Sequence, residues 1–204
     1  MVVIVDYGMG NLGSIRNMLS RLGGESIVTA DANVIAGARR LILPGVGAFD
    51  VAMERLKTLS LVEVLHERAL GACVPVLGIC LGMQLMTRGS EEGRLPGLGW
   101  FDAETIRFRF PQSCGKMRLP HMGWNVIRPM QGHPLLKGLD DEPRFYFVHN
   151  YHVRCTERAQ VLATAQYGIT FDAAVATGNI IGTQFHPEKS HRHGMRMLAN
   201  FLAI

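Results

Sequence analysis

The sequence lacks the features that mark several large classes of protein. No apolar run approaches the ~20 residues needed to cross a bilayer, and Asp6 interrupts the first apolar stretch before a secretion signal develops. The net charge of +4 comes from scattered Lys and Arg rather than from a basic run, so the signature of a nucleic-acid binder is missing. No repeat, low-complexity segment or linker divides the chain. We therefore expect one cytoplasmic domain comprising residues 1–204, without nucleic-acid or membrane partners.

Cysteine is scarce, and its spacing is uninformative about metals. The four cysteines form no C-x-x-C pair, so neither a zinc site nor a disulfide framework is indicated. They are Cys73, Cys80, Cys114 and Cys155. They are either all inert core thiols, or one of them takes part in chemistry.

The first half of the chain alternates short apolar runs with helical patterns. The apolar runs are "VVIV" (2–5), "SIVTA" (26–30), "RLILP" (40–44) and "VPVLGI" (74–79), and the helical patterns cover 12–22 and 50–69. This βαβα order, in runs without polar alternation, predicts a parallel sheet buried on both faces by helices.

The second half has a different pattern. From 98 to 176 the segments are short, rich in aromatic residues and punctuated by Pro and Gly, which indicates an added, partly antiparallel layer. A closing helix is predicted over 194–202. The fold class predicted for the chain is therefore α/β, with three layers, a mostly parallel sheet and added antiparallel strands in the second half.

The stretch "VPVLGICLGMQLM" at 74–86 is the first that indicates chemistry. Gly78 and Gly82 bracket Cys80 in a G-x-C-x-G pattern where a strand gives way to a helix, as in a nucleophile elbow. Such a turn strains the backbone and requires small neighbours, and the helix N-terminus favours a thiolate. The alternative is a buried thiol beside two packing glycines.

A cysteine nucleophile needs a base and a group that orients the base. In "IIGTQFHPEKS" a strand pattern ends at His186, and Glu188 follows after a rigid proline, where its carboxylate can fix one imidazole tautomer. The other seven histidines lack this context and are expected at the surface or in packing. By itself "HPE" also fits a solvated turn; together with Cys80 it predicts a Cys-His-Glu triad.

Acyl transfer by a thiolate also needs donors for the developing oxyanion. The backbone N–H of Leu81, directly after the nucleophile, is one candidate. The second is an amide of Val46 or Gly47 in "LPGVGAF" (43–49), a glycine-rich loop after a buried strand. The same loop also fits a plain connection between a strand and a helix.

The opening glycines give a competing interpretation. Gly8, Gly10 and Gly13 follow a strand pattern and fit a dinucleotide-binding fingerprint, with Asp31 where a ribose-binding carboxylate is expected. This interpretation explains nothing after position 31. We therefore expect the first two glycines to form a tight turn and Gly13 to permit close packing of a helix on the sheet. A stand-alone cysteine hydrolase and a non-catalytic binding subunit are further alternatives.

Six stretches, in order along the whole chain, resemble the class I glutamine amidotransferases, which share a flavodoxin-like fold. They are "DYGMGN" (6–11), "PGVGAF" (44–49), "GICLGMQ" (78–84), "PHMGWN" (120–125), "FVHNY" (147–151) and "HPEKS" (186–190). More narrowly, the chain is similar to the glutaminase subunits of imidazole glycerol phosphate synthases. The resemblance implies hydrolysis of glutamine to glutamate and ammonia by Cys80, His186 and Glu188, with no metal and no organic cofactor.

The resemblance also implies binding residues and a partner. Glutamine would be held by Gln84 and the "PGVG" loop, with Asn150 and Tyr151 at its amino-acid end. The ammonia would pass through a tunnel to a (β/α)₈ synthase subunit in a heterodimer. Asp6, Asn11 and Lys189 would face that subunit, and the glutaminase would be nearly silent without it.

Two positions depart from the histidine-pathway pattern. This chain has "GVGAFDVAM" where such members often have "GVGAFGDAM", and Asn150 stands where a small hydroxyl residue is common. Relatives that supply ammonia for amidination of bacterial surface sugars show similar departures. The ammonia acceptor is therefore either the histidine-pathway intermediate or a surface sugar.

Overall fold

A computed structural model describes residues 1–204. Its strands are β1 (Val2–Val5), β2 (Ser26–Thr29), β3 (Arg40–Leu43), β4 (Val76–Ile79), β5 (Ala103–Arg107), β6 (His121–Pro129), β7 (Arg144–His149), β8 (Tyr151–Cys155), β9 (Val161–Tyr167), β10 (Ile169–Thr177) and β11 (Ile180–Thr183). Its α-helices are α1 (Leu12–Arg21), α2 (Ala32–Ala36), α3 (Phe49–Thr58), α4 (Val62–His66), α5 (Leu81–Leu85) and α6 (His191–Ala203). No helix combines the length and the apolar character that crossing a membrane requires.

All strands belong to one mixed sheet. β2, β1, β3, β4 and β11 lie side by side in parallel, and β10, β9, β6 and β7 continue the sheet in antiparallel order. The antiparallel pair β5 and β8 is attached through β8 to β10. The predicted α/β class, with antiparallel strands added in the second half, is confirmed.

The apolar strands of the parallel half are buried on both faces. Side chains of β1 alternate between two apolar clusters: Val3 and Val5 belong to one, Val2 and Ile4 to the other. α3, α4 and α5 contribute to the first cluster, and α1 and α6 to the second. Three layers follow from this period-two alternation, because each face of the sheet needs its own cover. β2, at the sheet edge, is less buried than predicted.

Two helix predictions need correction, and one helix was missed. The helical pattern over 50–69 is two helices, because the chain turns at Ser60, whose φ is +54°, and α4 continues as a π-helical turn over Glu67–Gly71. The closing helix begins at His191 rather than at 194, directly after a 3₁₀ turn at Pro187–Lys189. The short helix α2 was not predicted at all. Asp31 caps α2 by accepting a hydrogen bond from the N–H of Asn33 at 2.8 Å.

The opening glycines form a turn that contacts a second loop. Gly8 and Gly10 have φ values of +79° and +122°, as a tight turn off β1 requires. A Cβ at Gly10 would lie 3.2 Å from the Cβ of Pro44, so the turn packs on the loop over 44–47. The predicted packing role of Gly13 is wrong, because Gly13 is exposed and a Cβ there would meet nothing within 4 Å.

Candidate active site

The site lies at the carboxyl edge of the parallel strands. β4 and β11 are neighbours, so the residues that follow them emerge at the same edge of the sheet. Cys80 directly follows β4, and its N–H donates to the carbonyl of Thr183, the last residue of β11, at 2.7 Å. His186 and Glu188 follow three and five residues after Thr183. The topology thus brings together the three residues predicted as a triad.

The turn that carries Cys80 is a strained elbow. Cys80 has φ of +55° and ψ of −109°, a conformation that residues with a side chain rarely adopt. A Cβ at Gly82 would overlap the carbonyl of Leu43 on the neighbouring strand, and one at Gly78 would lie 2.8 Å from the amide nitrogen of Met83. Both glycines of the G-x-C-x-G pattern are therefore required by close contacts of the backbone.

His186 is held by its neighbours on the turn after β11. Its Nδ1 donates to Oε1 of Glu188 at 2.8 Å, and both side chains are buried. Its carbonyl accepts a hydrogen bond from the Ser190 hydroxyl at 2.5 Å, and its N–H donates to the carbonyl of Tyr146 at 2.9 Å. Its Nε2 is buried and makes no hydrogen bond within the chain. The ring is fixed with one nitrogen paired and the other left for chemistry.

The charge of His186 is set by opposing effects. Burial lowers the pKa of His186, but the negative charge of Cys80 and the hydrogen bond and charge of Glu188 outweigh burial and raise this pKa to about 10. His186 therefore carries a proton at neutral pH when Cys80 is a thiolate. This is the pairing needed by a nucleophile and a general acid.

Two glutamine side chains link Cys80 to the wall of the site. The Gln184 amide donates toward the Cys80 sulfur at 3.7 Å. The Gln84 amide donates to Oε1 of Gln184 and to the carbonyl of Tyr151, each at 3.1 Å. Gln84 thus uses its two side-chain N–H donors within the protein, and its side-chain oxygen Oε1 accepts no hydrogen bond from the chain. Gln184 was not predicted as a site residue.

Cys80 opens into a cavity of about 370 Å³, a volume suited to a small ligand. All six residues predicted for substrate or oxyanion binding line it: Val46, Gly47, Leu81, Gln84, Asn150 and Tyr151. Four other lining residues were missed by the sequence interpretation: Glu92, Pro120, Val148 and His149. Glu92 contributes the one carboxylate of the wall, and one of its oxygens accepts a hydrogen bond from the N–H of Phe49 at 2.9 Å.

The loop over 44–47 faces Cys80 with free amides. The N–H groups of Val46 and Gly47 find no acceptor in the chain, and Leu81 is the first residue of α5, so its N–H has no helical acceptor. The hydroxyl of Tyr7 anchors the loop by donating to the carbonyl of Pro44 at 2.5 Å. Burial and the nearby charge of Cys80 raise the pKa of Tyr7 well above its usual range, so it stays a neutral donor.

The three predicted partner-facing residues differ in their surroundings. Asp6 accepts a hydrogen bond from the N–H of Gly8 at 2.9 Å, and Asn11 precedes α1 without a side-chain capping bond. Lys189 is exposed, with its Nζ 5.6 Å from the centre of the Tyr146 ring. A missed neighbour on this surface is Trp124, which is 48% exposed.

Buried histidines are the main departure from the sequence interpretation. His121, His149 and His152 are each at least 95% buried, and His149 lines the cavity instead of serving only in packing. Burial lowers the pKa of all three, that of His121 to about 4. No group of three or more His, Cys, Asp or Glu side chains is arranged to hold a metal ion.

These histidines predict sensitivity to acid. The unfolded chain takes up protons near the ordinary histidine pKa of about 6.5, whereas the folded chain keeps His121 neutral down to about pH 4. We expect the free energy of unfolding to fall as pH decreases from about 6.5 to about 4. Urea titrations at several pH values measure this free energy. In His121→Phe we expect it to depend less steeply on pH. A constant free energy of unfolding over this range would contradict the assignment.

The chain is similar over its whole length to known proteins. The family model for glutamine amidotransferase class-I matches residues 3–204. The imidazole glycerol phosphate synthase subunit HisH 2 of Methanococcus maripaludis is 47% identical over 202 residues, covering 99% of this chain and 98% of that protein. The subunit HisH 2 of Pseudomonas aeruginosa is 45% identical over 204 residues, covering 100% of both. The subunit HisH of Bdellovibrio bacteriovorus is 46% identical, again over 100% of both.

Solved structures agree with the fold. A crystal structure described as a glutamine amidotransferase matches with a TM-score of 0.75 at 21% identity, covering 100% of this chain and 98% of that one. PurLQS from Thermotoga maritima matches with a TM-score of 0.69 at 17% identity, covering 99% and 97%. Similarity at this level of identity concerns the fold alone. On the family model and the identity to its relatives, the chain belongs to the class-I glutamine amidotransferase family.

Proposed function

We propose that the chain is the glutaminase subunit of an imidazole glycerol phosphate synthase. It would hydrolyse glutamine to glutamate and ammonia and pass the ammonia to a (β/α)₈ partner, which makes imidazole glycerol phosphate and AICAR in histidine biosynthesis. The observation that carries the proposal is the arrangement of Cys80, His186 and Glu188 beside a cavity of about 370 Å³. Relatives named as this subunit and 45–47% identical over the full chain support it.

In the first half of the reaction, the Cys80 thiolate attacks the carboxamide carbon of glutamine. The N–H of Leu81 and an amide of Val46 or Gly47 stabilise the oxyanion. The carbon–nitrogen bond then breaks, and His186 donates its proton to the leaving nitrogen, so that ammonia departs and a thioester remains.

In the second half, water attacks the thioester. His186, now neutral, accepts the proton of the water, and the bond between sulfur and carbon breaks to release glutamate and the Cys80 thiolate. Glu188 keeps the Nδ1–H of His186 directed at itself, so that Nε2 serves both transfers. No other acid or base is required.

The wall of the cavity suits the two ends of the substrate. Glu92 supplies a carboxylate for the α-ammonium group, and Asn150 and Tyr151 lie near the amino-acid end. The side-chain oxygen Oε1 of Gln84, which accepts no hydrogen bond within the chain, is a further acceptor for the ammonium group.

The partner surface is inferred from exposed groups near the site. Trp124 and Met122 are 48% and 60% exposed, and Trp124 stacks on His191 with ring centres 5.2 Å apart. Lys189 lies close by over Tyr146. Large apolar side chains exposed together mark protein contacts. We propose that the (β/α)₈ subunit docks here, and that Asp6 and Asn11 extend the contact along the glycine turn.

Control by the partner predicts a large difference in rate. The loop over 44–47 has glycines at 45 and 47, so rotation of a peptide next to Val46 is sterically permitted. We expect the isolated chain to hydrolyse glutamine slowly, and the partner with its own ligand bound to stimulate it by about 100-fold. Ammonia release from the chain alone, with the partner, and with partner and ligand measures this. An isolated chain as fast as the complex would contradict it.

The ammonia acceptor needs a separate experiment. The departures at "GVGAFDVAM" and at Asn150 keep a paralogous amidotransferase as a second candidate. That subunit would supply ammonia for amidination of a bacterial surface sugar. Reconstitution with each barrel subunit of the source organism, followed by product analysis, distinguishes the two. Formation of imidazole glycerol phosphate supports the first, and an amidinated sugar supports the second.

A further inference from the structure

A chain of hydrogen bonds joins the "PHMGWN" stretch to the wall of the cavity. The Asn125 amide nitrogen lies 3.2 Å from Nε2 of His121, and Nδ1 of His121 lies 2.9 Å from Nε2 of His149. Nδ1 of His149 lies 2.7 Å from the carbonyl of Tyr151. His121 and Asn125, four residues apart, share one face of β6, and His121 is paired with His149 of β7 across the sheet. The four-residue spacing on β6 and the register of β6 with β7 together place these groups within hydrogen-bond distance.

The direction of each bond is fixed by its ends. The carbonyl of Tyr151 only accepts, so Nδ1 of His149 carries the proton and its Nε2 is bare. The bare Nε2 must accept from Nδ1–H of His121, whose Nε2 then accepts from the Asn125 amide. The same amide nitrogen donates to the carbonyl of Gln166 at 2.9 Å, which keeps it oriented as a donor. One tautomer of each imidazole satisfies every contact.

Both imidazoles are held neutral in a closed environment. The His121 ring stacks on those of Tyr167 and Phe147, with ring centres 4.1 and 4.9 Å apart. His121 and His149 are 3% and 5% exposed. Burial lowers the pKa of both rings, consistent with the tautomers assigned from the hydrogen bonds.

The chain ends on groups that shape the cavity. The carbonyl of Tyr151 accepts from both His149 and Gln84, and the segment His149–Tyr151 lines the cavity. We infer that His121 is a positioning residue for substrate: its Nδ1–H donates to Nε2 of His149 and orients that ring, which holds the Tyr151 carbonyl and this wall in place. Asn125 acts one step further away by fixing the tautomer of His121. The inference rests on the proposed function for the identity of the substrate, glutamine.

A pair of substitutions separates positioning from packing. His121→Asn keeps an amide N–H near the position of Nδ1 but loses the ring, whereas His121→Phe keeps the ring but loses the donor. Positioning predicts that Phe raises the KM for glutamine about 10-fold, the ratio expected for one lost hydrogen bond, with kcat little changed, and that Asn restores the KM. Packing against Tyr167 and Phe147 predicts the reverse order of the two variants. That reverse order, or an unchanged KM in His121→Phe, would overturn the inference.

The measurement uses the assembled complex, with matched controls. His133, which does not line the cavity, receives the same two substitutions and is expected to leave the KM unchanged. Should His121→Phe fail to fold, the half-exposed Asn125→Ala is expected to raise the KM in the same direction, and an unchanged KM there would count against the inference.

A second measurement does not depend on glutamine. Nitrogen-15 chemical shifts of the histidines in the free chain report which ring nitrogen carries the proton. We expect Nδ1–H tautomers for His121 and His149, and a changed chemical shift of His149 Nε2 in His121→Phe, where that nitrogen loses its hydrogen-bond donor. Protonation of Nε2 in wild-type His149 would overturn the inference even with full activity. If the wild-type complex released no ammonia from glutamine, the proposed function would fail. The tautomers would still test the series of hydrogen bonds from Asn125 to Tyr151.

Discussion

Cys80→Ala is expected to abolish ammonia release from glutamine, with kcat lowered by about 10⁴-fold or more, because no other thiol can form the thioester. Cys155 is buried in β8, and burial raises its pKa to about 12, so it remains a neutral thiol. Ammonia release by the complex with each variant measures the effect. Cys73→Ala is the matched control: Cys73 is exposed and does not line the cavity, so full activity is expected.

Labelling gives an independent readout of the same prediction. Diazo-oxo-norleucine, an electrophile that mimics glutamine, should form an adduct at Cys80, and the adduct should be absent in Cys80→Ala. Peptide mass spectrometry identifies the modified residue. An adduct on Cys73, or undiminished ammonia release by Cys80→Ala, would exclude the proposed nucleophile.

The geometry of the elbow was predictable because it is a local property of the chain. A nucleophile on a tight turn between strand and helix needs glycines two residues before and after it, and that need is written as G-x-C-x-G around Cys80. The closeness of His186 to Cys80 was predictable for a related reason. Both residues end apolar strand patterns, and parallel strands of one sheet place their carboxyl ends at one edge.

The wall of the cavity was less predictable, because it is assembled from distant loops. Glu92 lies in an irregular segment after α5, and only its contact with the N–H of Phe49 and its place in the cavity reveal it. His149 resembles a packing residue in the sequence, and its partner His121 is 28 positions away. The "PHMGWN" and "FVHNY" stretches were the available signal, but pairing them required the register of β6 with β7.

The prediction of helix boundaries failed where the backbone turns at a single residue. Ser60 adopts a left-handed conformation inside a stretch whose apolar spacing continues on both sides, so periodicity alone joined α3 to α4. The prediction for Gly13 failed for a different reason. Its place in a glycine fingerprint predicted a close contact, but the helix turns this residue toward solvent.

The two kinds of glycine should respond oppositely to an added methyl group. At Gly82 a Cβ would overlap the carbonyl of Leu43, which belongs to a central strand and cannot retreat without moving the sheet. We expect Gly82→Ala to lower the free energy of unfolding by about 4 kcal/mol or more, a large share of the stability of a typical domain. Chemical denaturation of the soluble fraction measures it.

Gly13→Ala is the matched variant, because Gly13 lies in α1 and an added Cβ there would meet nothing within 4 Å. The methyl group removes backbone freedom from the unfolded chain, so we expect a gain in the free energy of unfolding of up to about 1 kcal/mol. A stable, active Gly82→Ala would show that the elbow tolerates a side chain and that strand β3 does not constrain Cys80. Opposite signs at the two positions would instead establish that close backbone approach, and not the glycine fingerprint, dictates where this chain requires glycine.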